Sequence, residues 1–182
     1  HNANKRPSLI GQSATATGKT APTPQQNGYF IWGRHAVFAA LGNPDRRIQQ
    51  LYVTADIADS LETEMSHLEL QRQNDIPKPQ IIERARLDGI GGAGEKVVHQ
   101  GMAAAVWPLD PPHLDDFLAG LAASQGMTAT PDNASPVRLL LLDQLSDPRN
   151  VGAIMRSARA FGVAGLITTF RNAAVENGVM AR

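Results

Sequence analysis

The sequence predicts an α/β fold, because short apolar segments typical of strands alternate with helix patterns along most of its 182 residues. Residues 139–142 form a continuous run of leucines, as in a strand that is buried on both faces. Residues 151–161 carry apolar side chains at helical spacing, and residues 165–169 return to a strand pattern. Two buried strands joined through a helix make a βαβ unit.

Composition excludes several classes of protein. Seventeen basic and seventeen acidic side chains give a net charge of zero, so any surface for nucleic acid must be local. Cysteine is absent, which excludes disulfides and cysteine-ligated zinc and fits a reducing cytosol. No apolar run has membrane-spanning length, and the N-terminus lacks a signal-peptide core. We therefore expect a cytoplasmic protein that does not contact a membrane.

The first segment, residues 1–27, is rich in Asn, Ser, Thr, Gln, Pro and Gly and is predicted to be a disordered tail. Gly18, Lys19 and Thr20 are similar to the end of a phosphate-binding loop. Ser13 stands where that motif requires glycine, and no strand pattern precedes it, so we reject this interpretation.

Residues 28–108 are predicted to form a small α/β domain. A short helix at 34–41 places Val37, Ala40 and Leu41 in one apolar stripe, and Gly42 to Pro44 end it. The remaining elements are a strand at 48–54, a helix at 60–74 with apolar points at Leu61, Met65, Leu68 and Leu70, a strand at 79–82, a loop or broken helix at 85–94, and a strand pair or one bent strand at 97–107 with a bulge at Gly101.

Aromatic and histidine side chains in this domain could either bind RNA or stabilise the fold. Tyr29, Phe30 and Trp32 could stack on bases, but core packing is the preferred interpretation for at least two of them. His35 at a helix start and His99 at a turn show no metal-ligand spacing. We interpret both as hydrogen-bonding residues that support the fold, and we expect no metal site.

Residues 109–136 are predicted to be a linker. Within it, residues 113–124 form an amphipathic helix, and residues 126–136 are turn-rich and flexible. The apolar side of this helix consists of Leu114, Phe117, Leu118 and Leu121.

The last segment, residues 137–182, holds the βαβ pattern. Residues 143–150 form a polar turn at the carboxyl end of the first strand, where open α/β sheets bind ligands. We expect Asn150 to cap a helix that begins at Val151, and Gly162 to end it in a left-handed conformation.

This helix has two different sides. The apolar side, which should pack on the sheet, consists of Val151, Ile154, Met155, Ala158 and Phe161. Gly152, Arg156 and Arg159 share another side, where the glycine allows a backbone or a ligand to approach and the arginines suit phosphate. The alternative is that this side of the helix is an ordinary solvent-exposed face with two surface arginines. The polar turn, Gly152 and the absence of acidic residues from 148 to 175 favour a site.

Three stretches of sequence resemble one known family. Residues 147–158 (Asp-Pro-Arg-Asn-Val-Gly-Ala-Ile-Met-Arg-Ser-Ala) resemble the first signature motif of the SpoU (TrmH-type) RNA ribose 2′-O-methyltransferases of the SPOUT superfamily, and the match continues through Val163. Residues 32–37 and 99–101 resemble the opening and closing motifs of the substrate-binding domain in the TrmH subfamily that includes RlmB.

The resemblance implies two domains. Residues 28–108 would be a ribosomal-protein-like α/β domain that binds RNA. Residues 137–182 would be the first part of a Rossmann-like, trefoil-knotted SPOUT methyltransferase domain. The family's second and third motifs, which carry most of the methyl-donor pocket, are not among the 182 residues. We therefore expect cofactor-binding residues beyond Arg182, and a 182-residue chain that alone neither binds S-adenosyl-L-methionine nor is active.

The resemblance also implies a function. It is methyl transfer from S-adenosyl-L-methionine to a ribose 2′-hydroxyl in RNA, without a metal and by a homodimer. The implied substrate is large-subunit (23S) ribosomal RNA at a guanosine, with transfer RNA as the alternative. An alternative of another class is a non-catalytic RNA-binding module.

The resemblance places Asn150 and Arg156 in the active site and makes Arg149 and Arg159 candidate RNA contacts. Arg156 would position phosphate and hydroxyl rather than act as a base, because the pKa of a guanidinium is above ~12. Asn150 would cap the helix and orient the ribose, and a purely capping role is its alternative.

Overall fold

The structure, a computed structural model, describes residues 20–72, 76–92, 97–124, 136–169 and 171–181. Most of the expected disordered tail and of the expected flexible segment at 126–136 lies outside these residues. The chain divides into two compact units, one made of residues 1–109 with 181–182 and the other of residues 110–180. Both units mix strands and helices, which confirms the predicted α/β class.

The first unit is built on a four-stranded sheet with the order β1-β4-β2-β3. Strand β4 is antiparallel to β1 and β2, and β3 is parallel to β2. All five residues of β4 are buried, as expected for a strand that lies between two neighbours. The strands are β1 (Tyr29–Trp32), β2 (Ile48–Val53), β3 (Gln80–Ile81) and β4 (Met102–Val106).

Three helices accompany this sheet: α1 (Arg34–Gly42), α2 (Ala55–Arg72) and α3 (Arg84–Asp88), the last followed by a 3-10 turn at Gly89–Gly91. The predicted stripe of α1 is buried and joins the core of the unit, which confirms it. The short α3 and its 3-10 turn match the broken-helix interpretation of residues 85–94.

Helix α2 begins five residues before its predicted start at Ser60. The carbonyl oxygen of the buried Thr54 accepts hydrogen bonds from the backbone N–H groups of Ile57 (3.0 Å) and Ala58 (3.2 Å), which opens the helix directly after β2. Leu61 and Met65 are buried as predicted. The side chains at 68 and 70 lie outside the described part of the chain.

The predicted strand pair or bent strand at 97–107 is wrong in its first half. Gln100 and Gly101 have φ values of 52° and 78°, and the Met102 N–H donates to the His99 carbonyl oxygen at 2.9 Å. Two positive φ values in succession define a tight type I′ turn, so the strand begins only at Met102. Gly101 therefore supplies a turn conformation and not a bulge.

His99 supports this turn. Its ring is buried, and its Nδ1 accepts a hydrogen bond from the Gly101 N–H at 3.0 Å. Its Nε2 lies 3.0 Å from the carboxylate of Asp88. Because Nδ1 is an acceptor, we assign the proton to Nε2, which donates to Asp88. The interpretation of His99 as a fold-supporting residue is confirmed.

The second unit contains the predicted βαβ pattern, preceded by one helix. Strands β5 and β6 are parallel, with Leu139 opposite Gly165 and Leu142 opposite Thr168. The ring of Phe117 lies directly against Gly165, so α4 packs on β6. The elements are α4 (Leu114–Ser124), β5 (Leu139–Leu142), α5 (Pro148–Ala160) and β6 (Gly165–Thr168).

The prediction that β5 is buried on both faces is wrong for this chain. Leu141 is 66% exposed, and of the four leucines only Leu142 is buried. On the apolar side of α5, Val151 and Ala158 are buried, but Phe161 is 77% exposed. Strands lie about 4.8 Å apart, so two of them make a sheet too narrow to cover all of this apolar surface.

Two further observations concern membrane-spanning helices and metal-binding groups. No helix among the described residues is both long and apolar enough to span a bilayer. Within the same residues, no group of three or more histidine and acidic side chains is placed to bind a metal ion.

Candidate functional site

The loops after β5 and β6 form one rim at the carboxyl edge of the two parallel strands. The Gln144 N–H donates to Thr169 Oγ1 at 3.3 Å, and the Ala174 N–H donates to the Leu145 carbonyl oxygen at 3.0 Å. The Asn172 side-chain amide lies 3.5 Å from Gln144 Oε1. These bonds join the two loops into a single polar rim beside the start of α5.

Helix α5 begins at Pro148, three residues before its predicted start, and its N-cap is Asp147. Asp147 Oδ1 accepts a hydrogen bond from the Arg149 N–H at 2.9 Å. Proline suits the first helical position because its φ is already helical and its missing N–H would have no helical partner. The prediction that Asn150 caps the helix is therefore wrong. The Asp-Pro pair was the sequence signal for the true start.

Asn150 is therefore not the residue that caps α5. It lies in the first turn of α5 with an exposed side chain, which is not used to cap the helix. A purely capping role, the alternative interpretation of this residue, no longer accounts for its amide.

The end of α5 matches its prediction. Gly162 has a φ of 68°, in the left-handed region. Its N–H donates to the Arg159 carbonyl oxygen at 3.2 Å, and the Val163 N–H donates to the Ala158 carbonyl oxygen at 2.9 Å. This is the pattern of a Schellman motif, in which glycine is preferred because it has no Cβ.

Three exposed arginines lie along one side of α5. At about 100° per residue, Arg149 and Arg156 are about 20° apart around the helix axis, and Arg159 lies about 60° from Arg156. Asn150 is about 120° from Arg156 on the same basis, so it faces a different flank. None of the three arginines forms an ion pair with a residue that the structure describes. Their charges are available for an anionic ligand.

Gly152 is buried beneath a backbone segment and not beneath an open ligand site. A Cβ at this position would overlap the Met180 carbonyl oxygen and lie 3.2 Å from its carbon and 3.3 Å from its Cα. The N–H groups of Val179 and Met180 donate to Asn177 Oδ1 at 3.0 and 3.1 Å, which holds this segment in a turn. Of the two alternatives for Gly152, approach by a backbone is the one observed. The sequence did not reveal Asn177.

We expect Gly152→Ala to destabilise the second unit by about 1–3 kcal/mol, because a backbone carbonyl cannot move aside as a flexible side chain can. Intrinsic helix propensity alone predicts the opposite sign, a gain of about 1 kcal/mol. Gly120→Ala is the matched control, because Gly120 lies inside α4 with open space around it. Urea denaturation of both variants tests this. Stabilisation by both substitutions would show that Met180 does not pack on α5.

The aromatic residues of the first unit belong mainly to its core. Phe30 and Trp32 are buried, which confirms the preference for core packing over base stacking for these two. Tyr29 is half-buried, and its hydroxyl accepts a hydrogen bond from an Arg46 guanidinium nitrogen at 3.0 Å. His35 is exposed at the start of α1.

Two family models match the chain in the order of its two units. Residues 30–112 match the model described as RNA 2′-O ribose methyltransferase substrate binding. Residues 138–182 match the model described as the SpoU rRNA Methylase family.

Curated relatives match over the same region. A protein of Mycolicibacterium vanbaalenii named "Uncharacterized tRNA/rRNA methyltransferase" is 33% identical over 186 residues, covering 100% of this chain and 52% of its own length. A protein of the same name from Mycobacterium sp. (strain KMS) is 40% identical over 102 residues, covering 56% of this chain and 29% of its own length. The chain thus spans at most about half the length of these relatives.

Two solved structures share the fold. An rRNA methyltransferase from Sinorhizobium meliloti aligns with a TM-score of 0.53 and 14% identity, over 85% of this chain and 48% of its own. The SpoU methyltransferase AviRb from Streptomyces viridochromogenes, solved in complex with AdoMet, aligns with a TM-score of 0.52 and 21% identity, over 85% of this chain and 49% of its own.

Proposed function

We propose that this chain is part of a SpoU-family protein and acts in RNA ribose 2′-O-methylation, because residues 30–112 match the substrate-binding model and residues 138–182 match the SpoU rRNA Methylase model. In this proposal it forms part of an enzyme that transfers a methyl group from S-adenosyl-L-methionine to a ribose 2′-hydroxyl. The supporting observation is that both family models match in order. In addition, the three arginines on one side of α5 form no ion pair with an acidic residue that the structure describes.

The proposed role of Arg156 is to hold the phosphate next to the target ribose and to donate a hydrogen bond to its hydroxyl. A ribose hydroxyl is a poor nucleophile, so correct positioning supplies much of the rate. The planar guanidinium offers several donors in a fixed geometry, which suits phosphate and hydroxyl together. Its pKa above ~12 makes it a donor and not a general base.

We assign a complementary role to Asn150. Its amide is not needed for the helix cap and faces a flank of α5 about 120° from Arg156. We propose that it contacts the ribose from this flank while Arg156 contacts the phosphate. Arg149, which is nearly in line with Arg156, and Arg159 would hold neighbouring phosphates of the same strand.

We propose that most of the S-adenosyl-L-methionine pocket is formed by residues other than these 182, as the family resemblance implies. At the polar rim, the carboxylate of Asp143 and the amides of Gln144 and Asn172 are exposed and could contact part of the methyl donor. The carboxylate of Asp147 accepts the hydrogen bond that caps α5.

Ribosomal RNA of the large subunit, at a guanosine, is the proposed substrate, with transfer RNA as the second candidate. Relatives are named tRNA/rRNA methyltransferases, and one similar structure is titled an rRNA methyltransferase. We further propose that the enzyme acts as a homodimer, which light scattering of the purified protein would test.

The experiment that tests the function measures transfer of labelled methyl groups from S-adenosyl-L-methionine to unmodified 23S ribosomal RNA and to transfer RNA. It uses the protein encoded by the complete gene. We expect label in 23S RNA, located on a ribose by nuclease digestion and mass spectrometry. Label in transfer RNA alone would show that transfer RNA, and not 23S ribosomal RNA, is the substrate. Binding of RNA without any methyl transfer would favour a non-catalytic RNA-binding module.

A further inference from the structure

Two residues of the polar rim adopt a backbone conformation that is unfavourable for residues with a Cβ. Gln144 has a φ of 53° and Asn172 has a φ of 56°, both in the left-handed region. Asparagine is enriched in this conformation, whereas glutamine is not. A left-handed glutamine persists only where its surroundings hold it, and such positions cluster at functional sites. The contacts of Gln144 therefore show what keeps the rim in place.

The loop after β6 supplies those contacts. Strands β5 and β6 end at the same level, because Leu142 lies opposite Thr168. The next residue, Thr169, accepts a hydrogen bond at its Oγ1 from the Gln144 N–H, at 3.3 Å. The side-chain amide of Asn172 lies 3.5 Å from Gln144 Oε1. The conformation of Gln144 thus depends on residues that follow it by 25 and 28 positions in the sequence.

The hydroxyl of Thr169 has a defined orientation. A threonine hydroxyl carries one proton, and Thr169 donates it to the Arg171 carbonyl oxygen at 2.9 Å. The lone pairs of Oγ1 are left to accept the hydrogen bond from the Gln144 N–H. Thr169 Oγ1 therefore links the backbone of the loop after β6 to the backbone of the loop after β5. A side chain without an oxygen atom at this position could not form this link.

The loop that Thr169 holds leads directly into the proposed site. Gln144 lies three residues before Asp147, the N-cap of α5, and the first turn of α5 carries Asn150. Between Gln144 and the cap, the Leu145 carbonyl oxygen accepts a hydrogen bond from the Ala174 N–H at 3.0 Å, which is a second bond between the two loops. Displacement of a positioning group by about 1 Å can lower a reaction rate about 100-fold.

We propose that Thr169 is a positioning residue for the methyl transfer. Its hydroxyl fixes the left-handed Gln144 and, through the loop that leads to Asp147, the place of Asn150 relative to the ribose. This inference rests on the proposed function and adds to it a residue that acts without touching the RNA. Loss of the hydroxyl should lower the rate of methyl transfer and leave RNA affinity nearly unchanged, because the arginines of α5 keep their charges.

The test compares three substitutions in the protein encoded by the complete gene. Thr169→Val keeps the branched shape and removes the hydroxyl, whereas Thr169→Ser keeps the hydroxyl. Thr168→Val is the matched control, because it makes the same chemical change at the neighbouring residue, whose exposed side chain does not form the link to Gln144. Single-turnover rates and RNA dissociation constants are measured on the RNA that the wild-type protein methylates. The temperature is kept well below the melting temperature of every variant.

We expect Thr169→Val to lower the single-turnover rate at least about tenfold and to change the dissociation constant for RNA less than about twofold. Thr169→Ser should keep the rate within about threefold of wild type, because its hydroxyl can form the same two hydrogen bonds. Thr168→Val should change neither quantity. Hydrogen–deuterium exchange at the Gln144 amide should become faster in Thr169→Val, because the acceptor of its N–H is gone. Thr169→Ala replaces Thr169→Val if the valine variant does not fold.

Several results would overturn the positioning role and leave the proposed function intact. They are a rate for Thr169→Val equal to that of Thr168→Val, an unchanged exchange rate at the Gln144 amide, and a loss in Thr169→Ser as large as in Thr169→Val. Equal losses of rate and RNA affinity would also overturn it, because Thr169 would then act in binding and not in positioning. A wild-type protein that methylates neither 23S ribosomal RNA nor transfer RNA would overturn the proposed function, and this inference with it.

Discussion

Replacing Arg156 with lysine is expected to lower methyl transfer about 100-fold, equivalent to about 2.7 kcal/mol of transition-state stabilisation, in the protein encoded by the complete gene. Lysine keeps the positive charge but replaces the planar fork with a single ammonium group. If Arg156 holds the phosphate and the hydroxyl together, lysine can satisfy only one of them. RNA affinity should change much less than the rate, because the charge is preserved.

The fold should survive this substitution. Arg156 is exposed on α5 without an ion-pair partner among the described residues, and lysine has a helix propensity similar to that of arginine. Arg138→Lys is the matched control, since Arg138 is an exposed arginine of the same unit that precedes β5 and lies outside the proposed site. Single-turnover rates and melting temperatures are compared for both variants. A rate for Arg156→Lys close to that of Arg138→Lys would make Arg156 an ordinary surface residue.

Gly101→Ala is expected to destabilise the first unit by about 2–4 kcal/mol, from backbone strain and overpacking together. The φ of 78° at this position is unfavourable for any residue with a Cβ. An added Cβ would also lie 2.5 Å from Ile57 Cγ1 and 2.6 Å from Thr54 Oγ1. Thr54 lies between β2 and α2, and its carbonyl oxygen accepts the first hydrogen bonds of α2, so the clash would disturb the junction between a central strand and a helix.

Gly162→Ala separates the two causes. Gly162 also has a positive φ, 68°, in the left-handed conformation that ends α5, but a Cβ there would meet nothing within 4 Å. Alanine at this position should therefore cost only the conformational penalty, about 1–2 kcal/mol. Urea denaturation of both variants measures the difference. Equal losses would mean that Ile57 and Thr54 move aside at no cost.

The turn at Gly101 connects the interior of the first unit with the start of α1. It positions Gln100, whose side chain accepts a hydrogen bond from the Arg34 N–H at the start of α1. The buried His99 stabilises the same turn by accepting a hydrogen bond from the Gly101 N–H. Damage to the turn should therefore also loosen the first turn of α1.

The sequence by itself determined most elements of the fold and the family motifs. Strong local patterns were sufficient for α1 and its buried stripe, for the βαβ order of the second unit and for the left-handed Gly162. These three features depend on local interactions within one or two helical turns or on the order of strand and helix patterns. Residues that are neighbours in the sequence determine both. The candidate residues Arg149, Asn150, Arg156 and Arg159 were identified by motif, and their roles stay proposals.

The start of α5 was also encoded locally, because Asp147 is followed by Pro148, which suits the first helical position. Only the tertiary structure decided which residues are buried. The exposure of Leu141 depends on which elements pack against β5. A run of leucines in the sequence does not contain that information.

Contacts distant in sequence account for the rest. Met180 covers Gly152, and Gln100 accepts from the N–H of Arg34, 66 residues earlier in the chain. The hydrogen bond from the Gln144 N–H to Thr169 likewise joins residues that are 25 positions apart. Local propensity acts over a few residues, whereas burial and hydrogen-bond pairing are properties of the assembled chain, so they emerge only with the fold.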